Sequence, residues 1–358
     1  MYLRLKSSAA ELSASMPETP EATQPSLAPG TRARLYNRHV NAFDRTRTTP
    51  TDTIKFIDIH RLEYAVELAR KGDLLATVMA NTYVSDIREL IIPEHGGACQ
   101  YSSGVQWSNR SRTTTLAGQA LALQAFALGA TLNRQPSILS LGIGIHRFVC
   151  TRASTIGLYQ SSPLRKGEVA CNDSTRLRDN AWYAVALHRF ARMYYLPCLK
   201  RDATILFNGI MCTHGRIPTR FGPRSTDVSE AKLDDKIALA AALNYFGTQL
   251  QRPRYAPAAA RLIEELDHAN SHPSGGCCQN DSLPNNATPE IDIDCTIEMV
   301  RICLSLLQDA PNARLLASLK HGLRALFNPV VALTRRPESG ILLIAEAAAS
   351  LPTVQATQ

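Results

Sequence analysis

Apolar side chains recur at three- and four-residue spacing through most of the chain from Thr53 onward, and that period predicts helices. Leu62, Ala65, Val66 and Ala69 share one face of a helix over 61–70. After the Lys71-Gly72-Asp73 break the pattern resumes over 74–92, so the two segments predict a helical hairpin. Further helices are predicted over 115–132, 137–150, 179–195, 199–212, 234–250, 257–269, 296–307 and 313–327. Alternating strand patterns are nearly absent. The helices come in pairs, separated by Gly/Pro/polar loops at 95–111, 155–172, 215–229 and 272–288. Several of these exceed the roughly 12–15 residues beyond which a loop is usually functional or disordered. Residues 115–132 and 237–250 are Ala-rich and apolar over more than one stripe, as an inner layer requires, whereas 257–269 keeps a polar face with Arg261, Glu264, Glu265 and Asp267. Repeated inner and outer hairpins predict an all-α fold, a helical toroid or a solenoid, over residues 53–345. Residues 1–52 carry many Ser, Thr, Pro and Arg with little periodicity and read as a disordered tail or the remnant of a missing domain, and 346–358 read as a C-terminal tail.

Composition narrows the classes. With 45% hydrophobic and 20% charged residues and a mean hydropathy of −0.13, the chain has the makings of a folded core. The most apolar stretch, 116–130, is interrupted by Gly118, Gln119, Gln124 and Gly129, short of the roughly 18–20 uninterrupted residues of a membrane span, so no membrane partner is expected. The first residues are basic at Arg4 and Lys6 but lack a secretory apolar stretch, and a cytoplasmic location is expected. Nine cysteines, with Cys277 and Cys278 adjacent and none at zinc-site spacing, read as free thiols; no metal and no cofactor are implied. The net charge of +8 is scattered rather than gathered in a stripe with aromatics, which argues against a nucleic-acid partner.

Three loops carry candidate chemistry. Residues 93–102 hold Gly96-Gly97, which would let the backbone crowd a cavity wall, and Gln100 and Tyr101, which with Trp107 offer stacking and hydrogen bonds to a hydroxylated ligand. Residues 176–182 (Arg176-Leu177-Arg178-Asp179-Asn180-Ala181-Trp182) begin a helix that Asp179 or Asn180 would cap, leaving the other polar group and Trp182 to point inward. Asp234-Asp235 also stand at a helix start, where they serve as acid and base or simply answer the helix dipole. His146, His188 and His321 lie within helical patterns with no acid or His at metal-ligand spacing, and read as surface or satisfied core residues.

These stretches resemble, in collinear order over residues 53–345, the helical part of the thioredoxin-domain-containing family related to spermatogenesis-associated proteins. That region is similar to the six-hairpin glycosidases and the N-acylglucosamine 2-epimerases. The resemblance rests on Lys55-Phe56-Ile57-Asp58 with Leu62-Glu63-Tyr64, on Gly96-Gly97 with Gln100-Tyr101-Ser102 and Trp107, and on Gly157-Leu158-Tyr159 with Ser161. It extends through Arg178-Asp179-Asn180-Ala181-Trp182 and Asp234-Asp235 with Ile237-Ala238-Leu239-Ala240, and more weakly through Arg336-Pro337-Glu338-Ser339-Gly340-Ile341-Leu342-Leu343. It implies a six-hairpin glycosidase-like (α/α) toroid and, as substrate-binding residues, Gln100, Tyr101, Trp107, Arg178, Asn180 and Trp182.

The departures from that family are specific. No thioredoxin-like domain precedes Lys55 in this sequence and no C-x-x-C occurs in it. Where the family leads one to expect His-Pro-His and Glu-Lys, the chain reads Ser108-Asn109-Arg110-Ser111-Arg112-Thr113-Thr114; Pro163-Leu164-Arg165 replaces Asp-Ala-Asp, and Ala345 replaces a late Asp. Permanently cationic Arg is a poor substitute for a titratable acid or base. Arg110, Arg112 and Arg165 are instead expected to make the cavity mouth more cationic than the family pattern, with Arg165 a binding residue for an anionic ligand. The expected function is therefore a catalytically decayed toroid that binds a sugar-like or anionic ligand. The alternatives are an active carbohydrate-processing enzyme, epimerase or glycosidase-like, using Asp179 and Asp234 or Asp235, and a scaffold for a protein partner such as a separately encoded thioredoxin-like domain.

Overall fold

The computed structural model describes residues 26–48, 54–103, 107, 109–111, 113–153, 157–161, 175–212, 220–221, 231–278, 290–334 and 338–351. Its helices are α1 (Pro29–Thr48), α2 (Ile59–Arg70), α3 (Leu74–Arg88), α4 (Leu116–Leu132), α5 (Pro136–Cys150), α6 (Leu177–Met193) and α7 (Pro197–Cys212). They continue with α8 (Leu233–Gln249), α9 (Tyr255–Asn270), α10 (Ile293–Asp309), α11 (Ala313–Leu326), α12 (Pro329–Thr334) and α13 (Glu338–Ala349). The described strands are two residues long: Ile54–Lys55, Ser102–Ser103 and Asn109–Arg110 form one small antiparallel sheet, and Thr175–Arg176 pairs with Arg220–Phe221.

Local chemistry sets the helix boundaries. Asp58, Asp73, Thr115 and Asp292 each accept a hydrogen bond from the backbone N–H three residues on, and Asn312 accepts from Arg314 and Leu315. Pro136 opens α5 at a position where its missing N–H costs nothing.

Packing closes the helices into two rings. α2, α4, α6, α8, α10 and α13 each contact the next, and α13 returns to α2; α3, α5, α7, α9, α11 and α1 back them one by one from outside. This is an (α/α) toroid of six hairpins, with α12 an extra short helix on the way to α13. The Ala-rich inner helix α4 is buried on nearly all sides, and Gly129 lets it close on Val84 of α3, where a Cβ would come within 2.8 Å. Because outer and inner helices alternate along the chain, the inner helices all run in one direction. The connections entering them are long, and those leaving them are as short as 71–73 or 133–135.

Part of the segment that the pattern leaves as a tail is helical. α1 buries Thr31, Leu35, His39 and Phe43, four residues apart, against α13, and ties itself down through Arg32–Glu346 (2.6 Å), Arg38 to the Leu333 carbonyl (2.7 Å) and His39–Ser339 (2.9 Å). At the other end α13 runs to Ala349 and Leu351 is buried, so the toroid takes in residues assigned above to both tails. Residues 1–25 and 352–358 lie outside the described residues. No described helix is long and apolar enough to cross a membrane.

Candidate functional site

The ring encloses a central cavity of about 730 Å³. The start of α2 and the inner faces of α4, α6, α8 and α10 form its wall. On α6 the wall residues Arg178, Trp182, Val185 and Arg189 follow the i, i+4, i+7, i+11 spacing of a single helical face. On α10 they are Asp294, Glu298, Arg301 and Ser305. The N-terminal ends of inner helices reach this wall through Asp58, Asp234 and Asp292.

Of the site residues expected from sequence, Arg178, Trp182 and Asp234 line the cavity. Arg178 is the hub of that group. Its Nη1 donates to Asp234 Oδ2 (2.6 Å), its Nε donates to Asp179 Oδ1 (3.2 Å), and its guanidinium lies 5.2 Å from the Trp182 ring. The backbone N–H of Arg178 donates to Asp235 Oδ1 at 3.0 Å. The expected cap by Asp179 or Asn180 is thus replaced: the cap residue of α6 is Arg176, which makes no side-chain bond, and a carboxylate from α8 answers the α6 terminus instead. Burial pushes the Asp235 carboxyl up to about 6.

The remaining expected residues stand elsewhere. Asp179 is buried on its bond to Arg178 and Asp235 on its bond to the α6 backbone; neither belongs to the cavity wall. Asn180 is fully buried. Its Oδ1 accepts from the Tyr159 N–H (2.9 Å), and its Nδ2 donates to the Tyr159 (2.9 Å) and Arg176 (3.0 Å) carbonyls, so it pins the 157–161 loop to α6. Trp107 is a buried core residue, edge-on to Tyr83. Tyr101 packs on Phe56, and Gln100 is exposed, its backbone N–H bonded to the Thr113 carbonyl. The paired glycines crowd an outer helix rather than the cavity: a Cβ on Gly96 would meet the Gly144 backbone at 3.1 Å, and one on Gly97 the Phe148 ring at 2.5 Å. Arg165 lies outside the described residues. Arg110, expected to make the mouth cationic, pairs with Glu89 (3.4 Å) away from the wall.

Sequence reasoning missed a second group on the wall. Arg301 donates to Glu63 Oε1 (2.6 Å), Glu298 Oε1 (3.3 Å) and His60 Nδ1 (3.1 Å), while His60 Nε2 lies 3.4 Å from Glu298 Oε1. With Nδ1 accepting from a guanidinium, Nε2 is the nitrogen that carries the ring proton. Burial pushes the Glu63 carboxyl up, but Arg301, His60 and Arg189 together bring it below its ordinary value. Arg189 itself lies over the Tyr245 ring at 5.0 Å. The available signal was charge on the inner face of helices whose other faces are apolar: Glu298 and Arg301 break an otherwise buried run on α10.

The histidines singled out in the sequence have partners within the protein. His146 contacts Tyr183 OH (3.0 Å) and Asp202 (3.3 Å), His188 contacts Tyr245 OH (3.0 Å), and His321 contacts Asp267 (3.0 Å).

With the cavity and ring described, comparison with solved structures is decisive for the fold. A sugar epimerase from a ruminal bacterium superposes with a TM-score of 0.68 at 9% identity, over 89% of this chain and 99% of that one. The chain is a six-hairpin toroid. An unsaturated glucuronyl hydrolase specific for heparin gives 0.62 at 8% identity over 91% and 99% of the two chains, and an α-mannanase from Bacteroides thetaiotaomicron gives 0.60 at 9% over 84% and 87%. No protein-family model and no curated protein matches the toroid's sequence. The six-hairpin part of the sequence resemblance therefore stands, and nothing in these comparisons supports its thioredoxin-domain-containing part.

Proposed function

We propose that this toroid binds a sugar-like ligand in its central cavity. The observation that carries this reading is the wall itself: a ring-axis cavity of about 730 Å³ where the Trp182 and Tyr245 rings alternate with charged and amide groups such as Arg178, Asp234 and Asn244. Carbohydrates are held in this way, with apolar faces against aromatics and hydroxyls against convergent polar groups. The fold likeness to a sugar epimerase and an α-mannanase supports the reading.

Binding without turnover is the form of it that the sequence favours, since Asn109, Ser111, Thr113 and Ala345 stand where proton-transferring groups are expected. A second reading, an active epimerase or glycosidase-like enzyme, is favoured by one observation: an imidazole and a carboxylate, His60 and Glu298, adjoin each other on the wall at 3.4 Å.

The experiment uses the chain's two tryptophans, of which Trp107 is buried and Trp182 faces the cavity. A ligand in the cavity changes the Trp182 fluorescence, and Trp182→Ala weakens affinity by about tenfold, the contribution of an aromatic platform. A panel of neutral, acidic and amino sugars that leaves the fluorescence untouched would refute binding. Product formation lost in His60→Asn, with ligand affinity retained, would establish the enzyme reading over binding alone.

A further inference from the structure

The hairpin turns of the toroid gather at one end of the ring, because the inner helices run in one direction and the connections leaving them are short. On and beside three successive turns, 133–135, 194–196 and 250–254, that end carries six exposed cations: Arg134, Arg192, Lys200, Arg201, Arg252 and Arg254. Among the described residues none of the six pairs with a carboxylate. Arg134 lies over the Tyr195 ring at 4.8 Å and Arg254 over Tyr255 at 5.3 Å, and Arg192 donates to the Gln249 side chain. The carboxylates along the same arc are half-buried and engaged: Glu67 pairs with Arg70 (3.0 Å), Asp73 caps α3, and Asp202 contacts His146 (3.3 Å). The arc ends at the next turn, 310–312, beside the exposed Asp309. Basic residues scattered along the sequence are thus collected by the fold into one uncompensated field.

The same end displays apolar side chains. Leu74 (81% exposed) and Tyr195 (73%) are the most exposed of the large apolar residues described, and Leu75 and Val78 are exposed beside Leu74 on the first turns of α3. Leu74, Leu75 and Val78 follow the 71–73 turn, next round the ring from Arg134, and Tyr195 stands among the cations. A polyanion such as nucleic acid would answer the charges and leave Leu74 and Val78 in water. An anionic bilayer answers both, its headgroups meeting the cations and the boundary of its acyl chains taking the apolar side chains. Tyrosine is at home at that depth. Because the turns all stand at one end of the ring, they can meet a planar surface together.

We propose that this end of the toroid docks on an anionic lipid surface, with the cations of the three turns against the headgroups and Leu74, Leu75, Val78 and Tyr195 seated at the interface. The docking requires no helix to cross the bilayer and is independent of what the central cavity binds.

Flotation of the full chain with vesicles of phosphatidylcholine, alone or with about 30% phosphatidylserine, tests this. The protein is expected to float with the phosphatidylserine vesicles at about 0.1 M salt, to be released at about 0.5 M, and to ignore phosphatidylcholine alone. Lys200→Gln/Arg201→Gln should weaken binding by about tenfold or more, at roughly fivefold for each cation near the surface. Leu74→Ser/Val78→Ser should weaken it by a similar factor, and thermal melts close to the parent's would show that these exposed changes leave the fold intact. Lys320→Gln/Arg324→Gln, which removes exposed cations from the side of the toroid on α11, should leave binding unchanged. No flotation with either vesicle overturns the proposal, as does binding indifferent to phosphatidylserine or to the Lys200 and Arg201 charges. Equal loss in the α11 variant overturns the assignment to this face. A 20-base-pair duplex that competes with the vesicles, together with binding untouched by Leu74→Ser/Val78→Ser, overturns it in favour of a nucleic acid.

Discussion

Replacing Asn180 with alanine removes three hydrogen bonds at once: one accepted from the Tyr159 N–H and two donated to the Tyr159 and Arg176 carbonyls. Asn180 is fully buried, Tyr159 is half-buried and Arg176 exposed, so water reaches some of the orphaned groups. At about 1 kcal/mol for each lost bond the substitution costs about 3 kcal/mol. For a domain of this size that is a fall of roughly 4 °C in Tm. Differential scanning calorimetry gives the number, and amide exchange at Tyr159 locates it, because the 157–161 loop is then released from α6. Asn180→Asp is expected to be at least as damaging near neutrality, since it sets a carboxylate against two carbonyl oxygens, and to recover on acidification as the carboxyl takes a proton. An Asn180→Ala protein that melts like the parent while losing affinity for its ligand would refute this account and return Asn180 to the binding surface.

Three further expectations follow from the same geometry. The bond to Asp267 raises the His321 pKa; burial pushes Asp267 up, but His321 and Ser318 hold it below its ordinary value. Their contribution is full between the two ranges, is lost as pH rises through the folded pKa of His321, and is lost again as pH falls through that of Asp267. Asp267→Asn should lower Tm more at about pH 6 than at about pH 9, and equal falls would contradict the pairing. His39, pushed down to about 4 by burial, refuses a proton that the unfolded chain accepts below its ordinary value of 6.5, so stability drops as pH falls between those values; His39→Gln should remove part of that acid-side fall in Tm. Gly142→Ala would place a Cβ 2.1 Å from the buried Phe190 ring and cost about 1–3 kcal/mol, whereas Gly209→Ala, whose Cβ would meet Leu158 at 3.7 Å, should gain a few tenths; thermal melts of the two distinguish a packing constraint from a general glycine effect.

The hairpins were legible because their apolar positions repeat at helical spacing and their ends carry ordinary caps and breaks. Ten of the predicted helices match observed ones, with offsets of a few residues at their ends. α1 escaped for a physical reason. Its buried stripe is Thr31, Leu35, His39 and Phe43, in which two of four positions are polar, and the remaining surface is Arg-rich and exposed. Its helix is held by what it docks on, through Arg32, Arg38 and His39, and those partners on α12 and α13 are about 300 residues away in sequence. The N-terminal stretch looked like a tail because the other half of its hairpin lies at the opposite end of the chain.

The same distinction governs the site. Sequence placed polar groups at helix starts correctly but could not say which helix each one serves, and Asp235 of α8 answers the terminus of the neighbouring inner helix α6. The sequence resemblance pointed to loop residues such as Asn109, Ser111 and Thr113, none of which belongs to the cavity wall. A toroid's cavity takes its charge from the inward faces of its helices, and on α10 that face carries Asp294, Glu298 and Arg301 at helical spacing while the other faces are largely apolar. Charge in the loops is therefore separable from charge in the cavity. In this chain the 108–114 loop carries no acid, whereas the wall carries Asp58, Asp234, Asp292, Asp294 and Glu298, so the chemistry of the ligand must be argued from the helix faces.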